Sequence, residues 1–225
     1  MLYWVGKRHS DVYIVVVGYI NMKRLKVFFF VTVVLSSTIL FACSPKYKIE
    51  NGQWAYITFD EAAGKRVRNI SADINSFQVL KDKRYGKDRN HVFFEGRIIP
   101  KADPKSFQII QSKGYSTYSK DKTNVFLDDA KVVFANPEKF IPFDWPYAKD
   151  DRRVFCGTIP IEIKNIEEFI VTETSGAKTS MTKSHFIKLN EKYAFLDTLD
   201  VNGVIFGEGK GETKTEKFNS YKKIE

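Results

Sequence analysis

The stretch from Tyr85 to Phe169 constrains this chain most, because it states one pattern three times. It reads Tyr85-Gly-Lys-Asp-Arg-Asn-His-Val92-Phe-Phe, then Tyr118-Ser-Lys-Asp-Lys-Thr-Asn-Val125-Phe-Leu, then Tyr147-Ala-Lys-Asp-Asp-Arg-Arg-Val154-Phe-Cys. Each copy runs on to a second signature: Asp103-Pro-Lys-Ser-Phe107, Asn136-Pro-Glu-Lys-Phe140, Asn165-Ile-Glu-Glu-Phe169. The spacing, about 30 residues, is that of repeat architectures. A unit of that size cannot bury an aromatic face alone, so neighbouring units must share a core.

The composition within each unit is that of strands and tight turns. Lys-Asp and the polar residues after it form a turn, since Asp can bond its own backbone two residues on. Val-Phe-Phe or its equivalent is a first strand. Glu95-Gly96, Asp128-Asp129 and Gly157-Thr158 tolerate the positive φ of a hairpin turn. A second strand follows, with Pro160 marking an edge or a bulge in the third copy. Asp/Asn-Pro-x-x-Phe caps one helical turn before a third strand. The expected fold is therefore all-β. Tandem repeats of three short antiparallel strands form a solenoid- or propeller-like meander after an N-terminal signal helix. Tyr85, Tyr118 and Tyr147, with Val92, Val125 and Val154, are expected in the shared core. Phe107, Phe140 and Phe169 join them there, while Asp88, Asp121 and Asp150 hold the turns. A partial copy from Gly64 precedes these, and Phe186 to Phe195 reads as a degenerate later one. The repeat domain is expected over 54–206, with 207–225 a frayed polar tail.

The N-terminus reads as an address. Met22-Lys-Arg-Leu-Lys26 is a basic leader, and Val27 to Ala42 is an apolar run of 16 residues. That is short of the ~20 residues of a spanning helix and suits a secretion signal. It ends Leu40-Phe41-Ala42-Cys43, which resembles the lipobox of bacterial lipoproteins, where the cysteine is acylated and the preceding peptide removed. Each buried acyl CH₂ contributes about 0.8 kcal/mol to anchoring. Residues 1–21 are expected to be a gene-model extension, 22–43 the signal and lipobox, and 44–53 a tether. Lys7, Arg8, Lys23, Arg24 and Lys26, offset by Asp11, precede Cys43, so the remainder carries only about +5 of the formal net charge of +9. Its basic residues alternate with acids, the pattern of a solvated surface rather than of a nucleic-acid site. With Cys43 carrying lipid, Cys156 has no partner in the chain; at the seat of Phe94 and Leu127 it reads as a packed small hydrophobe.

The combination of Tyr-x-Lys-Asp-x-x-x-Val-Phe with Ala-Asp-Pro-x-x-Phe resembles the DKNYYY repeat family of bacterial envelope proteins. Here it stands as Lys120-Asp121-Lys122-Thr-Asn124-Val125-Phe126, over roughly residues 64–171. The resemblance implies a repeat fold and an envelope address, and brings no catalytic residues. The residues themselves agree. Nucleotide-binding and nucleophile motifs are absent. His91 and His185 stand singly. Asp88 with Asn90 and Asp121 with Asn124 could offer calcium oxygens, but Arg153 puts a cation at the matching place in the third copy, so turn chemistry is the better reading. The expectation is a non-enzymatic envelope lipoprotein without cofactor or metal, favouring the outer membrane in a Gram-negative host. Its partners are the membrane, through Cys43, and an unknown protein or envelope polymer. The alternatives are an immunity-type lipoprotein that neutralises a toxin, or a hydrolase of cell-wall polymer.

Overall fold

The structure is a computed structural model that describes residues 7–8, 11–12, 46–113, 116–193, 195–199 and 203–224. The chain divides into two units, Met1–Ser44 and Pro45–Glu225. In the first, β1 (Lys7–Arg8) pairs antiparallel with β2 (Asp11–Val12). The expected signal segment and Cys43 lie outside the described residues.

The second unit is a succession of five small antiparallel sheets, each a simple meander. The first holds β3 (Lys46–Glu50), β4 (Gln53–Asp60) and β5 (Gly64–Asn69). The second holds β6 (Gln78–Val79), β7 (Tyr85–Lys87), β8 (Val92–Phe94) and β9 (Arg97–Ile98). The third is β10 (Gln108–Lys113), β11 (Ser116–Lys120), β12 (Val125–Leu127) and β13 (Ala130–Val132). The fourth is β14 (Ile141–Pro142), β15 (Tyr147–Lys149), β16 (Val154–Cys156) and β17 (Ile159–Ile161). The fifth comprises β18 (Ile170–Met181), β19 (Val204–Glu212), β20 (Lys217–Asn219) and β21 (Lys222–Lys223), with helix α1 (Lys183–Leu189) between β18 and β19.

The fold is all-β and built of repeats, as the sequence predicts, but the repeated sheet has four strands rather than three. Tyr-x-Lys is itself a strand, bonded on one side to the last strand of the preceding sequence unit and on the other to Val-Phe-x. Each sheet thus straddles two sequence units. The residue between Tyr and Lys is small because a phenylalanine lies across it. A Cβ on Gly86 would stand 2.3 Å from Phe77, and one on Gly211 2.2 Å from Phe169.

Alternation along the Val-Phe-x strand divides its side chains between two cores. Val92 and Phe94 pack forward with Phe107 and Phe126 of the third sheet's core, whereas Phe93 packs backward with Tyr47, Tyr56 and Phe77. Phe126 and Phe155 repeat the backward placement one and two sheets on. Three expectations change. The proposed tether contains β3, because Asn51 and Gly52, both at positive φ, close a tight hairpin onto β4. The proposed polar tail is most of the fifth sheet, with Phe218 1% exposed. The repeat domain therefore begins at Lys46 and reaches Lys223, beyond both bounds set at 54 and 206. Residues Phe186 to Phe195 are not a degenerate hairpin: Thr182 accepts from the His185 N–H as N-cap, α1 follows, and Phe186 is fully buried against the fourth and fifth sheets.

Candidate functional site

The recurring tyrosines form a relay that runs one way along the array. Tyr47 Oη donates to the Arg84 carbonyl at 3.1 Å and accepts from the Gly96 N–H at 3.0 Å. Tyr85 Oη lies 3.3 and 3.2 Å from the carbonyls of Thr117 and Asp128. Tyr118 Oη donates to the Gly157 carbonyl at 3.2 Å. Tyr147 Oη lies 3.0 Å from the carbonyls of both Gly209 and Ser220. Each acceptor borders the tight turn of the next sheet, where Glu95, Asp128, Gly157 and Ser220 all hold positive φ. Burial pushes the Tyr85 and Tyr118 hydroxyls far above the usual phenol range, so they remain donors. The named tyrosines, valines and phenylalanines of the three copies are all 6% exposed or less.

The recurring aspartates do a second joining job. Asp121 Oδ1 accepts from the N–H groups of Thr123 (2.7 Å) and Asn124 (2.6 Å), closing the turn. Its Oδ2 accepts from the Asp103 N–H at 2.9 Å, tying in the segment before the sheet. Asp88 does the same with Asn90, His91 and Asp73, and Asp150 with Arg152, Arg153 and Asn136. These carboxylates are filled with backbone N–H donors, so the side chain at the third turn position is free to vary from His91 and Asn124 to Arg153. No group of three or more His, Cys, Asp or Glu suited to a metal occurs among the described residues. Lys87 and Lys120 donate to the Pro104 and Pro137 carbonyls, 17 residues further on, at 2.8 and 2.7 Å. Lys149, whose copy lacks that proline, pairs with Glu167 at 3.0 Å instead.

In the fifth sheet two side chains share the aspartate's work. Thr213 Oγ1 accepts from the Thr215 and Glu216 N–H groups, and Glu216 Oε2 accepts from the Lys164 N–H at 2.9 Å. Sequence reasoning missed both. The available signal was Thr213-x-x-Glu216 before Lys-Phe218, at the spacing of Asp121-x-x-Asn124 before Val-Phe126.

One polar cluster departs from the repeat. Asp82, Arg84, Thr117, Asp128 and Lys178 meet where the long β18–β19 hairpin crosses to the third sheet. Arg84 pairs with Asp82 at 2.6 Å, and Thr117 Oγ1 donates to Asp82 at 2.9 Å. Asp128 accepts from the Thr117 N–H at 3.0 Å and pairs with Lys178 at 2.9 Å. Beside them Arg97 pairs with Asp129 at 2.9 Å. Burial pushes Asp82 up, but hydrogen bonds from Arg84 and Thr117 outweigh it and hold its carboxyl at about 2. Burial wins at Asp128, whose carboxyl is raised despite Lys178. Charges matched in this way suit a fastening between sheets.

Cys156 is fully buried with its thiol 3.5 Å from the Gly207 carbonyl, and burial pushes it up to about 12, far from a reactive thiolate. His185 lies in the first turn of α1, and His91 sits in the variable turn. No helix among the described residues is long and apolar enough to cross a membrane.

These features define a repeat protein whose units are small antiparallel sheets joined by tyrosine hydroxyls and turn carboxylates. The model of the DKNYY family matches residues 9–130 and again residues 56–188, and the chain belongs to that family. No curated protein and no solved structure matches it.

Proposed function

We propose that this DKNYY-family chain is a bacterial cell-envelope lipoprotein, held by lipid on Cys43, whose sheets form a non-catalytic binding or scaffold module. The observation that carries the binding half is the commitment of the recurring polar residues. Tyr85, Tyr118, Tyr147, Asp88, Asp121 and Asp150 all bond to backbone in an adjoining segment. The turn residues that follow each aspartate differ from copy to copy and are exposed (Arg89 and Asn90, Lys122 and Thr123, Asp151 and Arg152), which is where an array presents its recognition surface. The address rests on the leader Met22–Lys26, the apolar run and Leu-Phe-Ala-Cys43. In a Gram-negative host the expected site is the outer membrane.

Metabolic labelling with palmitate tests the anchor. The full chain should take up label and sediment with membranes, and Cys43→Ala should lose both. Undiminished label in Cys43→Ala ends the lipoprotein reading. Capture of the lipidated protein from solubilised envelopes then tests the module: a retained envelope protein or polymer supports binding.

A further inference from the structure

Two departures from the repeat touch each other. Thirteen residues past the turn aspartate, Lys101 of one copy and Phe134 of the next both hold positive φ, at 61° and 66°. A bulky side chain in that conformation costs about 1–2 kcal/mol. Phe134 recovers little of it by burial, since it remains 46% exposed. Arg153, standing where the sister turns have His91 and Asn124, places its guanidinium 5.0 Å from the Phe134 ring centre. The Arg153 backbone is already held by the turn, its N–H on Asp150 and its carbonyl accepting from the Asp150 N–H. Its guanidinium has no ion pair among the described residues. Arg152 beside it is 77% exposed in its side chain, and its nearest carboxylate, Asp151, is 4.0 Å away.

The pair borders an open cleft of about 300 Å³. Pro160 and Ile161 of β17, with Ile163 and Phe195, supply apolar walls, and the exposed Glu162 also lines it. Two guanidinium groups offer paired N–H donors that match a carboxylate or a phosphate. A strained aromatic kept at the surface, with a cation over one face, supplies a flat apolar wall beside them.

We propose that this cleft binds a small organic anion with a flat apolar body, a carboxylate or phosphate monoester. The anionic group engages Arg152 and Arg153, and the body lies against Phe134 and the aliphatic wall. Glu162 disfavours ligands that carry a second negative charge beside it. This gives the binding module a ligand class and rests on that reading; it does not depend on the lipid anchor.

The test uses the full chain in neutral detergent, with phenyl phosphate as the probe and saturation-transfer NMR as the readout. Binding should be saturable, and inorganic phosphate and phenol should each bind at least about tenfold more weakly. The informative variant is Phe134→Lys with Arg153→Asn, which installs what sister copies carry at the same backbone positions. Its melting temperature should stay level or rise, while phenyl phosphate affinity falls at least about tenfold. Three results overturn the proposal: no saturable transfer, equal binding of inorganic phosphate, or undiminished binding in the double variant. A marked drop in melting temperature would also do so, by giving Phe134 a structural reason for its strain. Loss of palmitate label from the wild-type chain would leave every one of these readouts unaltered.

Discussion

At the scale of a single residue, Asp121 shows why an aspartate recurs in the turn. Burial favours its neutral form, yet the N–H groups of Asp103, Thr123 and Asn124 hold its carboxyl below the usual carboxylate range. A depressed carboxyl stabilises the fold above the unfolded value, about 3.9, and that stability disappears as pH falls through the folded value. Asp88 is depressed by the same arrangement, so acid should loosen the turns together. Asp121→Ala strands two turn N–H groups and one from the preceding segment, and should cost about 2–3 kcal/mol near pH 7 in chemical denaturation. The gap from wild type should narrow below about pH 4, where the native carboxylate takes a proton. A gap that stays constant down to pH 2 would show that the carboxylate charge is irrelevant. Thr213 with Glu216 indicates what the turn requires: one acceptor near the backbone and one that reaches the previous segment.

At the scale of elements, the Gly-rich run Gly207-Glu-Gly-Lys-Gly211 belongs to a central strand, not to a frayed tail. Gly207 and Gly209 lie beneath Trp145 and Pro146, and Gly211 lies under Phe169. Gly211→Ala would drive a methyl into the Phe169 ring and should destabilise by about 1–3 kcal/mol. Limited proteolysis should then cut within β19–β21 first; protection equal to wild type would contradict this close approach. The repeated Tyr, Val and Phe were legible in the sequence because a period of two along a strand fixes which side chains share a face. Tyr-x-Lys was less so, since a three-residue strand has too little alternation to read, and its ladder partners come from two different units. Asn51-Gly52 was a usable hairpin signal, obscured because the polar run around it follows the expected lipid site. In Phe186 to Phe195 the aromatic spacing suggested a repeat, but Thr182 caps a helix and Phe186 enters the core from it. The charged cluster could not be read at all, because Asp128 and Lys178 lie 50 residues apart and meet only when the β18–β19 hairpin crosses.

At the scale of the molecule, that crossing binds the fifth sheet to the third, past the fourth. Trp145 Nε1 adds a bond to the Ala177 carbonyl at 2.9 Å in the same arm. Lys178→Met leaves the buried Asp128 carboxylate without its cation and should cost about 3 kcal/mol at pH 7. The carboxyl is already raised in the wild type, so it contributes most when protonated, and that contribution is lost as pH rises through its folded value. Without Lys178 the value climbs further, so the variant's deficit should be smaller at pH 5 than at pH 7. Thermal melts at the two pH values check this; an equal deficit at both would mean that protonation of Asp128 does not offset the loss of Lys178 over that range.

The tyrosine relay has a direction. Tyr47, Tyr85, Tyr118 and Tyr147 each extend into the sheet that follows, and the fifth sheet carries Lys210 where the next tyrosine would stand. Among the described residues, each of the first four sheets thus carries a plug for the next, and each of the last four a socket for the one before. An interior module could be duplicated or lost by recombination with both of its couplings intact, whereas a module appended after Lys210 would find nothing offered to it. Relatives of differing length should therefore vary in the middle and keep their two ends.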